Sequence, residues 1–202
     1  MNTPVYRFAA RLAAVAFAAT AMFVSTASAS AAPVTDEDTF VLTVFPHDTT
    51  ALNFWDSWGA RRSGGRGHRG TDIMSPRGTE VLAVADGVVT DFGSQRLSGY
   101  FIHLDHGDGW TTTYMHLNND TLGTDDGEGG IWAGVHPTIA VGTEVRAGDV
   151  IGYVGDSGNA ENTQPHTHFE VKKDGDKINP YPFLKEALDR ERRLGLPGQL
   201  PV

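Results

Sequence analysis

Beyond about residue 38 the chain consists of short apolar runs separated by turn residues, a pattern of many strands and few helices. Residues 39–45 read as a first strand, ended by Pro46. Residues 81–85 and 88–92 read as two strands around a tight Asp86-Gly87 turn, and residues 99–106 and 110–117 as a second hairpin across Gly107-Asp108-Gly109. Two more short strands flank Ala147-Gly148-Asp149. In residues 166–171, Thr167, Phe169 and Val171 alternate with His166, His168 and Glu170, the period of a half-buried strand. Apolar positions 183, 184, 187 and 188 predict a helix over 183–190, packed on the sheet edge as a C-terminal clasp. The expected fold is mainly β: a single antiparallel-sheet domain with a groove and a short C-terminal helix.

The interruptions are as informative as the runs. Gly64, Gly65, Gly67, Gly70, Pro76 and Gly78 argue against a helix around His68, so that stretch is a loop entering a strand. Residues 118–138 form a long acidic loop, expected to wall the groove. It lacks the alternating carboxylates and closing glutamate of an EF-hand, so calcium is not its obvious ligand.

Length adds that 202 residues hold one ordinary domain and little else. With no cysteine, disulfides, thiolate metal sites and cysteine nucleophiles are excluded, and any metal must be held by His, Asp or Glu. A formal charge of −9 argues against nucleic acid as a partner. Arg7 and Arg11, an apolar run from Leu12 to Val24 and a Ser/Ala-rich stretch with two A-x-A sites make residues 1–32 a secretory signal. The run falls short of the roughly 20 residues a spanning helix needs, and no lipobox cysteine follows. The expected organisation is signal 1–32, acidic lead-in 33–38, domain 39–190 and tail 191–202. The product is expected to be a secreted, cell-wall-associated monomer without stable membrane association.

The chemistry concentrates in a few histidines. His166 and His168 point to one face of their strand, roughly 6–7 Å apart, so one can bind a metal while the other reaches a water on it. His68 and Asp72 supply another imidazole and a carboxylate, and a zinc hydrolase needs three N/O ligands plus one open position. His103, alternating away from Ile102 and Leu104, is expected at the surface; for His106, at the turn, a structural hydrogen bond and chemistry are equal readings. His116, among Tyr114, Met115 and Leu117, reads locally as a core or edge histidine.

These segments together resemble the M23 (lysostaphin or LytM type) zinc metallopeptidases, which cleave peptides in bacterial peptidoglycan. The resemblance runs from about Phe40 to Leu184. It rests on Gly67-His68-x-x-x-Asp72, Gly78-Thr79-Glu80-Val81 with Ala85-Asp86-Gly87-Val88-Val89, Tyr114-Met115-His116-Leu117, Gly148-Asp149-Val150-Ile151-Gly152, and Pro165-His166-Thr167-His168-Phe169-Glu170-Val171. It implies a duplicated-hybrid-motif sheet, Zn2+ held by His68, Asp72 and His168, and catalytic roles for His116 and His166 beside a metal-activated water. Peptidoglycan peptides would be the substrate. Departures are Thr167, where the family often has leucine and where a packing role on the opposite face is expected, and the residues 159–165 replacing a shorter Ser-Thr-Gly-Pro approach. Rival readings are a silent M23-like module that binds wall or a partner hydrolase, a two-His-one-carboxylate iron oxygenase, and a β-rich binding module. All five family positions being filled disfavours the first, and the clustered ligand types disfavour the last.

Overall fold

The computed structural model describes residues 40–48 and 51–195; the signal reading, the acidic lead-in and the end of the tail lie outside them. In chain order the elements are β1 (Thr71–Met74), β2 (Glu80–Leu82), β3 (Gly87–Gln95), β4 (Gly99–Asp105), β5 (Trp110–Leu117), α1 (Ile131–Gly134), β6 (Glu144–Val145), β7 (Val150–Tyr153), β8 (His166–Lys173), β9 (Asp176–Ile178) and α2 (Tyr181–Leu194). Seven strands form one antiparallel sheet in the order β1-β8-β5-β4-β3-β6, with β9 also on β8, while β2 and β7 pair separately. The fold is thus mainly antiparallel sheet with a short C-terminal helix, as the alternation predicts.

Alternation decides which side of the large sheet is core. Ile102, Leu104, Tyr114, Phe169 and Val171 are all buried in one cluster with Ile73, Val81, Val84 and Ile151. Each such side chain contributes on the order of 2 kcal/mol by leaving water. Tyr114 keeps its polar end satisfied there, because its hydroxyl accepts the amide of Val84 at 3.0 Å. Behind β8, the buried His47 bonds Ser75 Oγ at 2.7 Å and Thr167 Oγ1 at 2.9 Å. Burial, with His166 second, holds His47 down at about 3, so it is neutral and one nitrogen donates while the other accepts. Thr167 therefore does more than pack: its hydroxyl ties the histidine strand to residue 47.

Four expectations change. Residues 81–92 are not a hairpin: β2 pairs β7, and β3 pairs β4 and β6. A tight Asp-Gly hairpin turn wants its glycine at positive φ, and Gly87 is not among the positive-φ glycines. The chain instead crosses between the sheets, and a Cβ at Gly87 would meet Asp105 O at 2.6 Å. The two strands that flank Ala147-Gly148-Asp149 are present as β6 and β7 and enter different sheets.

Residues 40–45 form no strand, yet Leu42 and Phe45 are buried and the amides of Thr43 and Val44 both donate to Val84 O. The helix is the third change. It runs from Tyr181 to Leu194, past the expected end at 190, and stops where Gly195 turns left-handed at φ 63. It buries Leu184, Ala187 and Leu188 and clasps the 40–45 segment rather than a bare sheet edge: Phe45 N donates to Glu191 Oε1 at 2.6 Å and Arg190 to Leu42 O. Lastly, His103 is half-buried and bonded to Thr113 Oγ1, not exposed. His106 takes its structural role, between Asp86 O and Thr112 Oγ1, each at 2.8 Å.

Candidate metal centre

Antiparallel register brings the candidate ligands together. Asp72 on β1 lies directly opposite His168 on β8, and Met115 of β5 faces His168 from the other side. His68 enters just before β1, from a short ladder in which its amide donates to Ala60 O at 2.8 Å and Gly59 N donates to its carbonyl at 2.9 Å. The result is a convergence of three donor atoms. His68 Nε2 is 2.9 Å from His168 Nδ1 and 3.1 Å from Asp72 Oδ1, and His168 Nδ1 is 2.8 Å from the same oxygen.

What lies behind each ring decides what it offers in front. His68 Nδ1 is 2.9 Å from Ser57 Oγ and 3.2 Å from Ser57 O; a carbonyl accepts only, so Nδ1 carries the proton and Nε2 faces the cluster bare. His168 Nε2 sits 3.3 Å from Glu170 Oε1 and donates to that carboxylate, which leaves Nδ1 bare. Two lone pairs and a carboxylate oxygen therefore point at one small region, an arrangement that asks for a cation. Both acids here are held as anions. Burial opposes the charge on Asp72, but positive charge shared with His168 and His68 through these same nitrogens, whether a proton's or a cation's, outweighs it and holds its carboxyl below the usual range. Glu170 is likewise opposed by burial and held below its usual range by His168 and Lys177. Arg62 occupies the second oxygen of Asp72. A methyl on Gly70 would come within 2.5 Å of His168 Nε2 and 2.6 Å of Phe169 O, so only glycine lets β1 and the imidazole approach this closely.

His116 reaches the same face by a device that alternation does not announce. Tyr100 pairs Leu117 and Ile102 pairs Tyr114, so Phe101 alone on β4 stands against Met115 and His116 on β5. That is a β-bulge, and His116 takes a left-handed φ of 59, a conformation costing about 1–2 kcal/mol in a non-glycine residue. By simple alternation His116 would share the core face of Tyr114; the extra residue turns it into the cleft and returns Leu117 to the core. Its Nδ1 donates to Ser157 O at 2.8 Å, and His166 Nδ1 donates to Gln164 O at 2.8 Å, so both present Nε2 outward. The two rings are 5.1 Å apart between centroids, and His116 is 6.1 Å from His168. Burial and then His166 pull His116 down to about 4, so at neutral pH its Nε2 is a proton acceptor.

These residues line a cleft of about 990 Å3 between the 61–69 loop and the segments 95–98 and 159–164. The 118–138 loop is not among its walls. Arg77 instead ties that loop down, bridging Asp120, Asp125 at 2.9 Å and Asp156 at 3.0 Å, so this acidic cluster already has its cation. Ser57, Glu170 and Arg62 were not singled out by sequence reasoning. Glu170 shares the face of His168 two residues on and could have been found; Ser57 carries no such signal.

A family model described as peptidase family M23 matches residues 66–180. A DD-carboxypeptidase/endopeptidase from Neisseria meningitidis is 36% identical over 113 residues, covering 56% of this chain and 22% of that protein. The chain thus spans about a fifth of the length of such curated relatives. Among solved structures, a putative glycyl-glycine endopeptidase lytM from Ruminococcus gnavus is similar at 30% identity and TM-score 0.58, over 74% of this chain and 61% of that one. The lysostaphin catalytic domain from Staphylococcus simulans is similar at 28% identity and TM-score 0.53, over 66% of this chain and 92% of that one.

Proposed function

The chain belongs to peptidase family M23, a family of metallopeptidases acting on peptidoglycan, and from that premise we propose that it is a secreted zinc-dependent endopeptidase of bacterial cell-wall peptides. The observation that carries the reading is the meeting of His68 Nε2, Asp72 Oδ1 and His168 Nδ1 within 3.1 Å of one another, with both imidazole protons committed elsewhere. An all-N/O set of three with an open cleft side suits catalytic zinc. Bound there, zinc would supply Lewis acidity and lower the pKa of a coordinated water from about 15.7 toward 7.

The remaining chemistry falls to this chain's side chains. His116 and His166, each anchored through Nδ1, offer Nε2 to take a proton from the attacking water and, once protonated, to donate to the oxyanion or the leaving amine. The cleft holds an extended peptide across that pair. The mature protein, treated with chelator, should lose release of peptide fragments from purified sacculi and regain it with one equivalent of zinc. Sacculi that are bound but left intact at full zinc loading would instead support a silent wall-binding module.

The same reading has the mature chain begin between Ser30 and Pro33 and act outside the cytoplasm, because the apolar run from Leu12 to Val24 is short and small residues follow it. N-terminal sequencing of the released protein checks this. An intact Met1 there would overturn it.

A further inference from the structure

The cleft's charge is opposite in sign to the chain's. Formal net charge is −9, yet the cleft is lined by Arg61, Arg62, Arg66, Arg69 and Lys177 against only Asp72 and Glu170. Most of these charges are committed. Arg62 lies on Asp72, Lys177 on Glu170, and the guanidinium of Arg69 sits over the Trp58 ring at 5.4 Å. Arg61 and Arg66 are exposed and have no carboxylate partner among the described residues, in a protein with 25 acids to 16 basic residues.

Their placement is fixed by the backbone. Arg61 is bridged antiparallel to Gly67, and Arg62 N donates to Arg66 O at 2.8 Å, with Gly64 and Gly65 at φ 74 and 75 making the reversal between them. Two guanidiniums thus stand on one tight hairpin beside the ligand His68. Across the cleft, the lining residues Gln95, Ser98, Asn159, Thr163 and Gln164 are uncharged, so the two uncommitted cations that line it both stand on the hairpin wall.

We infer that this hairpin is a specificity wall, with Arg61 and Arg66 recognising free carboxylates on the peptide near the scissile bond, so that stem peptides bearing such carboxylates are preferred over neutral glycine bridges. The inference rests on the endopeptidase reading and narrows its substrate class. A planar guanidinium matches a carboxylate through two parallel hydrogen bonds and gains nothing comparable from a carboxamide. A neutral bridge would leave both cations facing an uncharged chain.

The test compares cross-linked stem-peptide dimers that differ only in free against amidated carboxylates, using the full mature protein loaded with zinc. Wild type should show a kcat/KM about tenfold or more higher for the free-carboxylate dimer, the advantage shrinking as salt rises. In Arg61→Gln/Arg66→Gln the ratio should fall below about threefold while zinc content stays at one per chain. Equal rates on both dimers in wild type, or an unchanged ratio in the variant, would overturn the wall. Equilibrium binding of fluorescent free-acid and amidated stem peptides separates this from the endopeptidase reading. Preferential binding that the variant loses, with no cleavage of either dimer, would keep the wall and remove the catalysis; cleavage without preference would do the reverse.

Discussion

Replacing His168 by alanine is expected to abolish stoichiometric zinc binding and, with it, hydrolysis. The variant leaves His68 and Asp72 in place, but two ligands no longer enclose a site. Altering a group that only orients a ligand costs about 10–100-fold in metal affinity, so removing the ligand itself should cost more than that. Glu170→Gln is the graded comparison, since it keeps Nδ1 of His168 in position and weakens only the partner of Nε2. Competition with a chelator of known affinity should rank wild type above Glu170→Gln above His168→Ala. Full zinc occupancy in His168→Ala would remove that residue from the ligand set and leave the convergence of the three donor atoms without its assigned purpose.

The order in which these residues became legible has a physical reason. His166 and His168 sharing a face follows from the two-residue period of any strand, and the core positions Thr167, Phe169 and Val171 confirm it by being fully buried. The pairing of Asp72 with His168 does not follow from any local pattern, because register between β1 and β8 joins segments 96 residues apart. Family resemblance, not periodicity, placed those two together. Residues 81–92 show the opposite failure: a strong local hairpin signal was overridden, β2 pairing the distant β7 while β3 pairs β4 and β6, and Gly87 lacks the positive φ a tight turn would need. The 40–45 segment failed in a third way, being apolar enough for a strand but spending its amides on one carbonyl, Val84 O, and on Glu191 of the C-terminal helix. In each case the sequence carried burial faithfully and partner choice poorly.

His116 is the sharpest instance, and it carries the second large effect. Nothing in Tyr114-Met115-His116-Leu117 says that its third residue leaves the core face; the bulge against Phe101 and the left-handed φ of 59 do that. A conformation costing about 1–2 kcal/mol is maintained here by Ser98 O, which accepts the amide of His116 at 2.9 Å, and by Ser157 O, which accepts its Nδ1 proton. The strain is consistent with a residue placed for chemistry rather than packing. His166 needs no such device, since alternation on β8 already turns it outward. We expect His116→Ala and His166→Ala each to lower turnover on the order of 10²–10⁴-fold, the scale of a positioned acid–base group, with zinc content near wild type. The double variant should lose less than the product of the two single losses, because rings 5.1 Å apart that serve one proton transfer act as a unit. Single-turnover rates on a defined cross-linked peptide, read beside metal analysis, decide the case. Loss of zinc together with activity would make the residue a ligand. Activity close to wild type with zinc retained would leave His116 as a strained structural histidine held by Ser157, and the catalytic pair would reduce to His166 alone.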